Sequence, residues 1–185
     1  MTTHYKNFKI EIINEPDYTP GSADNLITYA LVYPDKTSDY RNLSKHGIRI
    51  MQDGKEISSA LISAGGGFTG IHEKSFLIKN DTLFICCGSE VYSLEIPSLK
   101  LNWNKEIDTA TCFEIYEFED DFIVHGEVEI SRVTNSGTIK WQFSGRDIFV
   151  SVNGKKEFEI TGNTIKLTDF QNFQYALNSD GKQIK

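Results

Sequence analysis

The chain has 185 residues, 39% of them hydrophobic and 24% charged, with 14 glycines and only 4 prolines. A chain of that length buries roughly 70% of its unfolded surface and folds without disulfides or metal, and the composition excludes a collagen, a coiled coil, a disulfide miniprotein and wholesale disorder. Nineteen Lys and Arg against 26 Asp and Glu leave a net charge of −7, which argues against nucleic acid as a partner, because a phosphate backbone needs a basic footprint, and permits steering toward a cationic protein.

Met1–Ile10 carries no apolar stretch of signal-peptide length behind its lysines. Apolar runs such as Leu83–Cys87 are far too short to span a bilayer, so no membrane partner is expected. Three cysteines, Cys86, Cys87 and Cys112, cannot all pair, which suits a reducing compartment; the expected location is cytoplasmic.

Taken in order, the chain reads as strand after strand. Phe8, Ile10 and Ile12 fall on one face, with Lys9, Glu11 and Ile13 on the other. The same alternation predicts strands over Ile27–Tyr33, Ile48–Met51, Phe76–Ile78, Leu83–Cys87, Val91–Ile96, Phe122–His125, Val128–Val133, Phe158–Ile160 and Thr164–Thr168. Asp53-Gly54, Asn153-Gly154 and Asp180-Gly181, with Ser136-Gly137 as a weaker case, mark tight turns that need positive φ. One short helix is expected near Ser38–His46, capped by Ser38 and stopped by Gly47.

The strands repeat. Gly88 to Gly126 is 126 − 88 = 38 residues, Trp103 to Trp141 is again 38, and both glycine-to-tryptophan intervals are 15. A shorter echo ends near Gly181, and an earlier one places Gly54 at the turn later held by Gly137. Units of about forty residues with four short strands have the spacing of propeller blades. The segment Gly137-Thr138-Ile139-Lys140-Trp141-Gln142-Phe143 resembles the blade motif of quinoprotein-like and WD40-like β-propeller repeats, in which a turn glycine precedes Trp-x-Phe. The resemblance covers the two units Gly88–Trp103 and Gly126–Trp141, and Leu99–Trp103 is a copy without the glycine. It implies an all-β fold of about four antiparallel β-meanders in a single domain, with units near 5–63, 64–106, 107–150 and 151–185. The N-terminal strand around Tyr5–Ile13 could close them into a small ring; the rival is an open β-sandwich of the same meanders.

Candidate chemistry is sparse. Gly65, Gly66, Gly67 and Gly70 satisfy G-x-G-x-x-G, yet the residues that follow lead into a strand and not into the helix that a pyrophosphate site requires. The expectation is a connector between two units, with a backbone-lined small-ligand pocket as the alternative. In quinoprotein alcohol dehydrogenases, which the motif brings to mind, an adjacent cysteine pair lies against the cofactor. Here Cys86 and Cys87 share one strand and point to opposite faces, so two buried small side chains, and no cofactor, are expected. His4, His46, His72 and His125 show no metal-ligand spacing, and no metal or catalytic residue is nominated. A hairpin turning at Glu119-Asp120 would set His125 across from Glu114 or Ile115 as a cross-strand pair.

The most distinctive feature is an acidic run. Glu114, Glu117, Glu119, Asp120, Asp121, Glu127 and Glu129 fall within sixteen residues that hold no Lys or Arg. The run is read as a patch for a basic protein partner, or else as a solvated edge that discourages aggregation. The function expected is therefore a non-enzymatic, macromolecule-binding β-repeat domain, in its concrete form an acidic immunity-type inhibitor of a basic nuclease or toxin. A small-ligand binder or enzyme with a pocket near Gly65 to Gly70, and a structural module of a larger assembly, are the alternatives.

Overall fold

The computed structural model describes residues 1–34, 44–151 and 156–184. Among the described residues there is no helix, and the strands form four sheets. The first contains β1 (Thr2–Tyr5), β2 (Phe8–Asn14), β3 (Leu31–Tyr33), β4 (Ser44–Gln52) and β5 (Lys55–Ala64) in the order β1-β2-β4-β5-β3. The second runs β6 (Phe76–Lys79), β7 (Thr82–Cys87), β8 (Glu90–Glu95), β9 (Leu101–Glu106), and the third β10 (Cys112–Phe118), β11 (Asp121–Gly126), β12 (Glu129–Val133), β13 (Ile139–Ser144), each in chain order. The fourth holds β14 (Phe158–Thr161), β15 (Thr164–Thr168) and β16 (Gln174–Leu177), extended by a bridge from Leu177 to Gln183. Every pairing between named strands is antiparallel except β3 with β5, which is parallel.

Each sheet is apolar on both faces where it has a neighbour on both sides, and this stacks the meanders like blades. Ile10, Ile12, Ile48, Ile50 and Ile62 of the first sheet pack against Leu83, Ile85, Cys87 and Leu94 of the second. The opposite face of the second sheet, with Phe84, Cys86 and Val91, meets Cys112, Ile115, Phe122 and Val124 of the third. Ile123, Ile130 and Phe118 of the third meet Phe158, Ile165, Leu167 and Leu177 of the fourth. At roughly 1.5–3 kcal/mol for each large side chain removed from water, these three interfaces dominate over the exposed ion pairs, worth about 0–1 kcal/mol each. Adjacent Cys86 and Cys87 thus enter different cores, as strand alternation requires, and all three cysteines are free and buried.

A second device recurs at each interface. Four residues after the turn of one sheet, a side chain reaches the next sheet and donates to the carbonyl two residues before that sheet's own turn. Trp103 Nε1 donates to Asn135 O (3.0 Å), with the indole against Gly137. Trp141 Nε1 donates to Ser179 O (2.9 Å), with the indole against Gly181. In the first sheet the corresponding residue, four past Gly54, is Ser58, whose hydroxyl donates to Pro97 O. The position of the turn glycine is taken there by Leu99, held at φ 56°. Tyr33, on the extra strand β3, makes up the missing bulk by donating to Leu99 O (3.3 Å) and accepting from Leu101 N (3.2 Å).

Among the described residues the sheets do not close into a ring. None of the three inter-sheet cores joins the fourth sheet to the first. The N-terminal strand does not close a ring: positive φ at Lys6 (53°) folds β1 back onto β2, with Thr2 opposite Glu11, and the Met1 ammonium donates to Ile12 O (2.9 Å). The outer face of the first sheet is covered by the long β2–β4 connection, where Tyr18, Tyr29, Ile27 and Val32 pack on Leu61. Tyr29 lies directly over Gly47 and donates to Glu15 Oε1 (2.6 Å). On the outward side of the fourth sheet, Glu159 pairs with Lys156 at 3.1 Å.

Two local expectations change. Only Leu31–Tyr33 of the predicted 27–33 strand is extended, because Tyr29 is committed to the cap. Ser38 and residues up to 43 of the predicted helix, and the Asn153-Gly154 turn, lie outside the described residues. Ser44 and His46 instead begin β4, since Ser44, His46, Ile48 and Ile50 form one continuous buried face.

The locks predict a graded response. Gly54, Gly137 and Gly181 share φ near +80° (77°, 82° and 73°), but a Cβ would meet nothing within 4 Å at Gly54, whereas it would stand 2.9 Å from Trp103 at Gly137 and 2.5 Å from Trp141 at Gly181. Gly54→Ala should cost about 1 kcal/mol for the backbone alone. Gly137→Ala and Gly181→Ala should lose about 1–3 kcal/mol more through overpacking, read from urea midpoints. Equal losses at all three sites would contradict the lock.

Candidate functional site at the connector end

The loops that pass from sheet to sheet meet the mid-sheet turns at one end of the stack, and a continuous hydrogen-bonded belt results. Ser89 N donates to Gly65 O (2.9 Å), Glu127 N to Thr111 O (2.8 Å) and Phe170 N to Ile148 O (2.8 Å), the same contact in three successive sheets. Outgoing loops return the bond: Ile107 N donates to Ser89 O (3.0 Å) and Phe149 N to Glu127 O (2.7 Å). Ser44 ties the first sheet in, donating to Gly67 O (3.0 Å) and accepting from Thr69 N (2.7 Å). At the centre lies Asp108, 1% exposed, whose carboxylate accepts from Ala110 N (2.6 Å), Thr111 N (3.0 Å), Val128 N (3.0 Å) and Glu129 N (2.8 Å). A buried carboxylate needs such saturation, and no sequence pattern singled Asp108 out; its position immediately before a Thr-Ala-Thr loop was the only available signal.

The glycine motif belongs to this belt. A Cβ at Gly66 would collide with Ala110 O, and one at Gly67 with Thr111 Oγ1, while Gly65 and Gly70 face open space. The glycines permit close backbone approach between connectors. Between them Phe68 projects, 56% exposed.

The seven acids are not one patch. Thr111 Oγ1 donates to Glu127 Oε2 (2.8 Å), which places Glu127 beside the Gly67 connector, and Glu129 lies nearby with Gln142 Nε2 at 3.1 Å. Burial, with the charges of Asp108 and Glu106, raises the Glu129 carboxyl above its ordinary value. Glu117, Glu119, Asp120 and Asp121 sit at the opposite end, around the β10–β11 turn. There Lys79 pairs with Glu117 (2.8 Å), Arg132 with Glu119 (2.6 Å) and Asp121 (2.7 Å), and Lys140 with Asp121 (2.7 Å). Asp120 accepts through its backbone carbonyl from Asn135 Nδ2 (2.9 Å). Glu114 lies between the ends, opposite His125 as the hairpin register predicts, with Nδ1 2.8 Å from Oε2. Burial pushes the Glu114 carboxyl up, but the hydrogen bond and charge of His125 outweigh it and hold the group below its usual range.

No protein-family model matches the chain, and no curated protein does. Solved structures similar to it include the computationally designed Ika8 protein, at TM-score 0.54 and 7% identity, covering 100% of this chain and 59% of that one. The WD40 β-propeller domain of Doa1 aligns at TM-score 0.49 and 14% identity over 75% of this chain and 47% of its own. The Pan2 WD40 domain of Neurospora crassa aligns at TM-score 0.48 and 14% identity, over 60% and 36%. The chain thus spans less than two thirds of each of these structures, and the likeness is one of fold alone.

His46 is the one described side chain whose buried nitrogens lack a hydrogen-bond partner, and it is 0% exposed in the core between the first two sheets. Burial lowers its pKa to about 4 from 6.5. The unfolded chain therefore takes up a proton below about pH 6.5 that the folded chain refuses until about pH 4. Stability should fall by about 3 kcal/mol as pH drops through that window. His46→Leu, which removes the unpaired nitrogens at similar volume, should abolish this slope and raise the thermal midpoint at pH 5; an unchanged slope would refute the assignment.

Proposed function

We propose that the chain is a non-enzymatic protein-binding module that engages its partner through the connector end. The observation that carries this reading is the coincidence, on one hydrogen-bonded belt, of exposed aromatics and acids. Phe68, Phe170 and Phe173 are 56%, 46% and 43% exposed, and Glu127 and Glu129 lie on the belt between the loops that bear them. Aromatic anchors supply buried area at low entropic loss, and acids at the rim select a basic surface and steer its approach. Three of the four far-end acids, Glu117, Glu119 and Asp121, are paired with Lys79, Arg132 and Lys140, so among the described residues two of the run's three carboxylates without an ion pair, Glu127 and Glu129, lie at the connector end and only Asp120 at the other. An immunity-type inhibitor that covers the basic active site of a nuclease is the narrower form of the same reading, supported by the net charge of −7.

The test is capture from the native cell followed by calorimetry on the identified partner. Glu127→Lys with Glu129→Lys, and separately Phe170→Ser with Phe173→Ser, should each weaken binding at least tenfold, roughly 1.4 kcal/mol, while thermal stability stays within about 0.5 kcal/mol as for surface changes. Binding that survives both pairs and is lost on Glu117→Lys with Asp120→Lys would move the interface to the opposite end.

A further inference from the structure

His125 is 2% exposed and sits where the third and fourth sheets join. Its ring stacks on Phe158 of β14 (centroids 4.9 Å apart, planes at 12°) and meets the edge of Phe113 at 5.9 Å. Nε2 lies 3.2 Å from Phe149 O, a carbonyl that can only accept, so this contact is a hydrogen bond only while Nε2 carries a proton. Nδ1 lies 2.8 Å from Glu114 Oε2, and that oxygen also accepts from Tyr116 OH (2.8 Å). The contact between imidazole and carboxylate is a hydrogen bond only while a further proton lies between them. With one proton gone, either tautomer leaves a nitrogen lone pair facing an oxygen inside the core, the Glu114 carboxylate or the Phe149 carbonyl, which is repulsive.

The bond is placed to act on the belt. Phe149, whose carbonyl His125 holds, donates its own N–H to Glu127 O (2.7 Å), and the preceding residue, Ile148, accepts from Phe170 N (2.8 Å). We propose that the Glu114–His125 pair is a proton-operated latch that fixes the Ile148–Phe149 segment after the third sheet when both imidazole nitrogens are protonated and loosens it when one proton leaves. The other titratable groups around it among the described residues are few. Tyr116 shares β10 with Glu114, Lys74 lies over the Tyr116 ring at 5.2 Å, His72 adds positive charge near Glu114, and Glu157 adds negative charge near Tyr116. None of them supplies a second donor to the imidazole. The latch needs no partner to operate.

Amide hydrogen exchange, corrected for the intrinsic rate, reads the latch at Phe149 and Phe170. Between about pH 6 and pH 8.5 their protection should fall roughly tenfold, the loss of one charge-assisted hydrogen bond, while Ser89, bonded to Gly65 O in the equivalent place two joints away, stays unchanged. Glu114→Gln can donate from its amide to the neutral imidazole, so this variant should keep full protection at pH 8.5 and lose the pH dependence. Equal protection at both pH values in the unaltered protein, or an undiminished pH dependence in Glu114→Gln, would overturn the proposal.

Discussion

The structure depends on one contact made three times, the reach of a side chain from the outer part of one sheet onto the turn of the next. A four-stranded meander has two faces and cannot hide both by itself, so stacking is the only way to remove the apolar residues from water. Apolar stacking alone is indifferent to sliding and rotation. The indole of Trp103 or Trp141, pressed on a glycine and hydrogen-bonded to a carbonyl two residues earlier, fixes both. The belt at the other end, with Asp108 at its centre, fixes the same sheets a second time. Each joint is therefore held at two ends with a dry core between them, and the loops that cross the connector end are presented on a rigid support.

Much of this could be read from residue spacing because both the lock and the mid-sheet turn are built from residue types with little freedom of substitution. Gly137 needs positive φ under an indole, Gly88 lies where a Cβ would strike the Gly65 carbonyl and Gly126 where it would strike the Asp108 carboxylate; these constraints wrote the 38-residue interval into the chain. The same logic explains the failures. At the first joint Ser58 and Leu99 stand where the motif has tryptophan and glycine, and Tyr33 compensates from a parallel strand inserted out of order. No linear pattern announces such a substitution. β5 was passed over because Ser58, Ser59 and Ala60 lack the contrast that alternation requires, although Ser59 through Ile62 are all buried. Tyr29 looked like strand sequence and instead covers the face that a preceding sheet would occupy.

The acidic run shows the limit of reading charge along the chain. Successive turns of a meander lie at opposite ends of its sheet, and successive strand residues point to opposite faces, so sixteen consecutive residues contributed a partner for a buried histidine, a neutralised network around Arg132 and two carboxylates on the belt. Only Glu127 and Glu129 join Gly65, Gly66 and Gly67, the other group that sequence reasoning had nominated, through Thr111 and Asp108. That convergence was not foreseeable, since it requires three sheets to be stacked in register first. It concentrates the unusual features of the chain at one end, where connecting loops are free to vary while the cores beneath them are not.

The two indole protons report the inter-sheet lock most directly, because Trp103 and Trp141 are the only tryptophans in the chain. Nuclear magnetic resonance of the indole N–H groups, assigned with Trp103→Phe and Trp141→Phe, should show both protons hydrogen-bonded and exchanging at least tenfold more slowly than a free indole. Exchange of either one at the free rate, with the chain otherwise folded, would mean that the sheets are not joined in the way described.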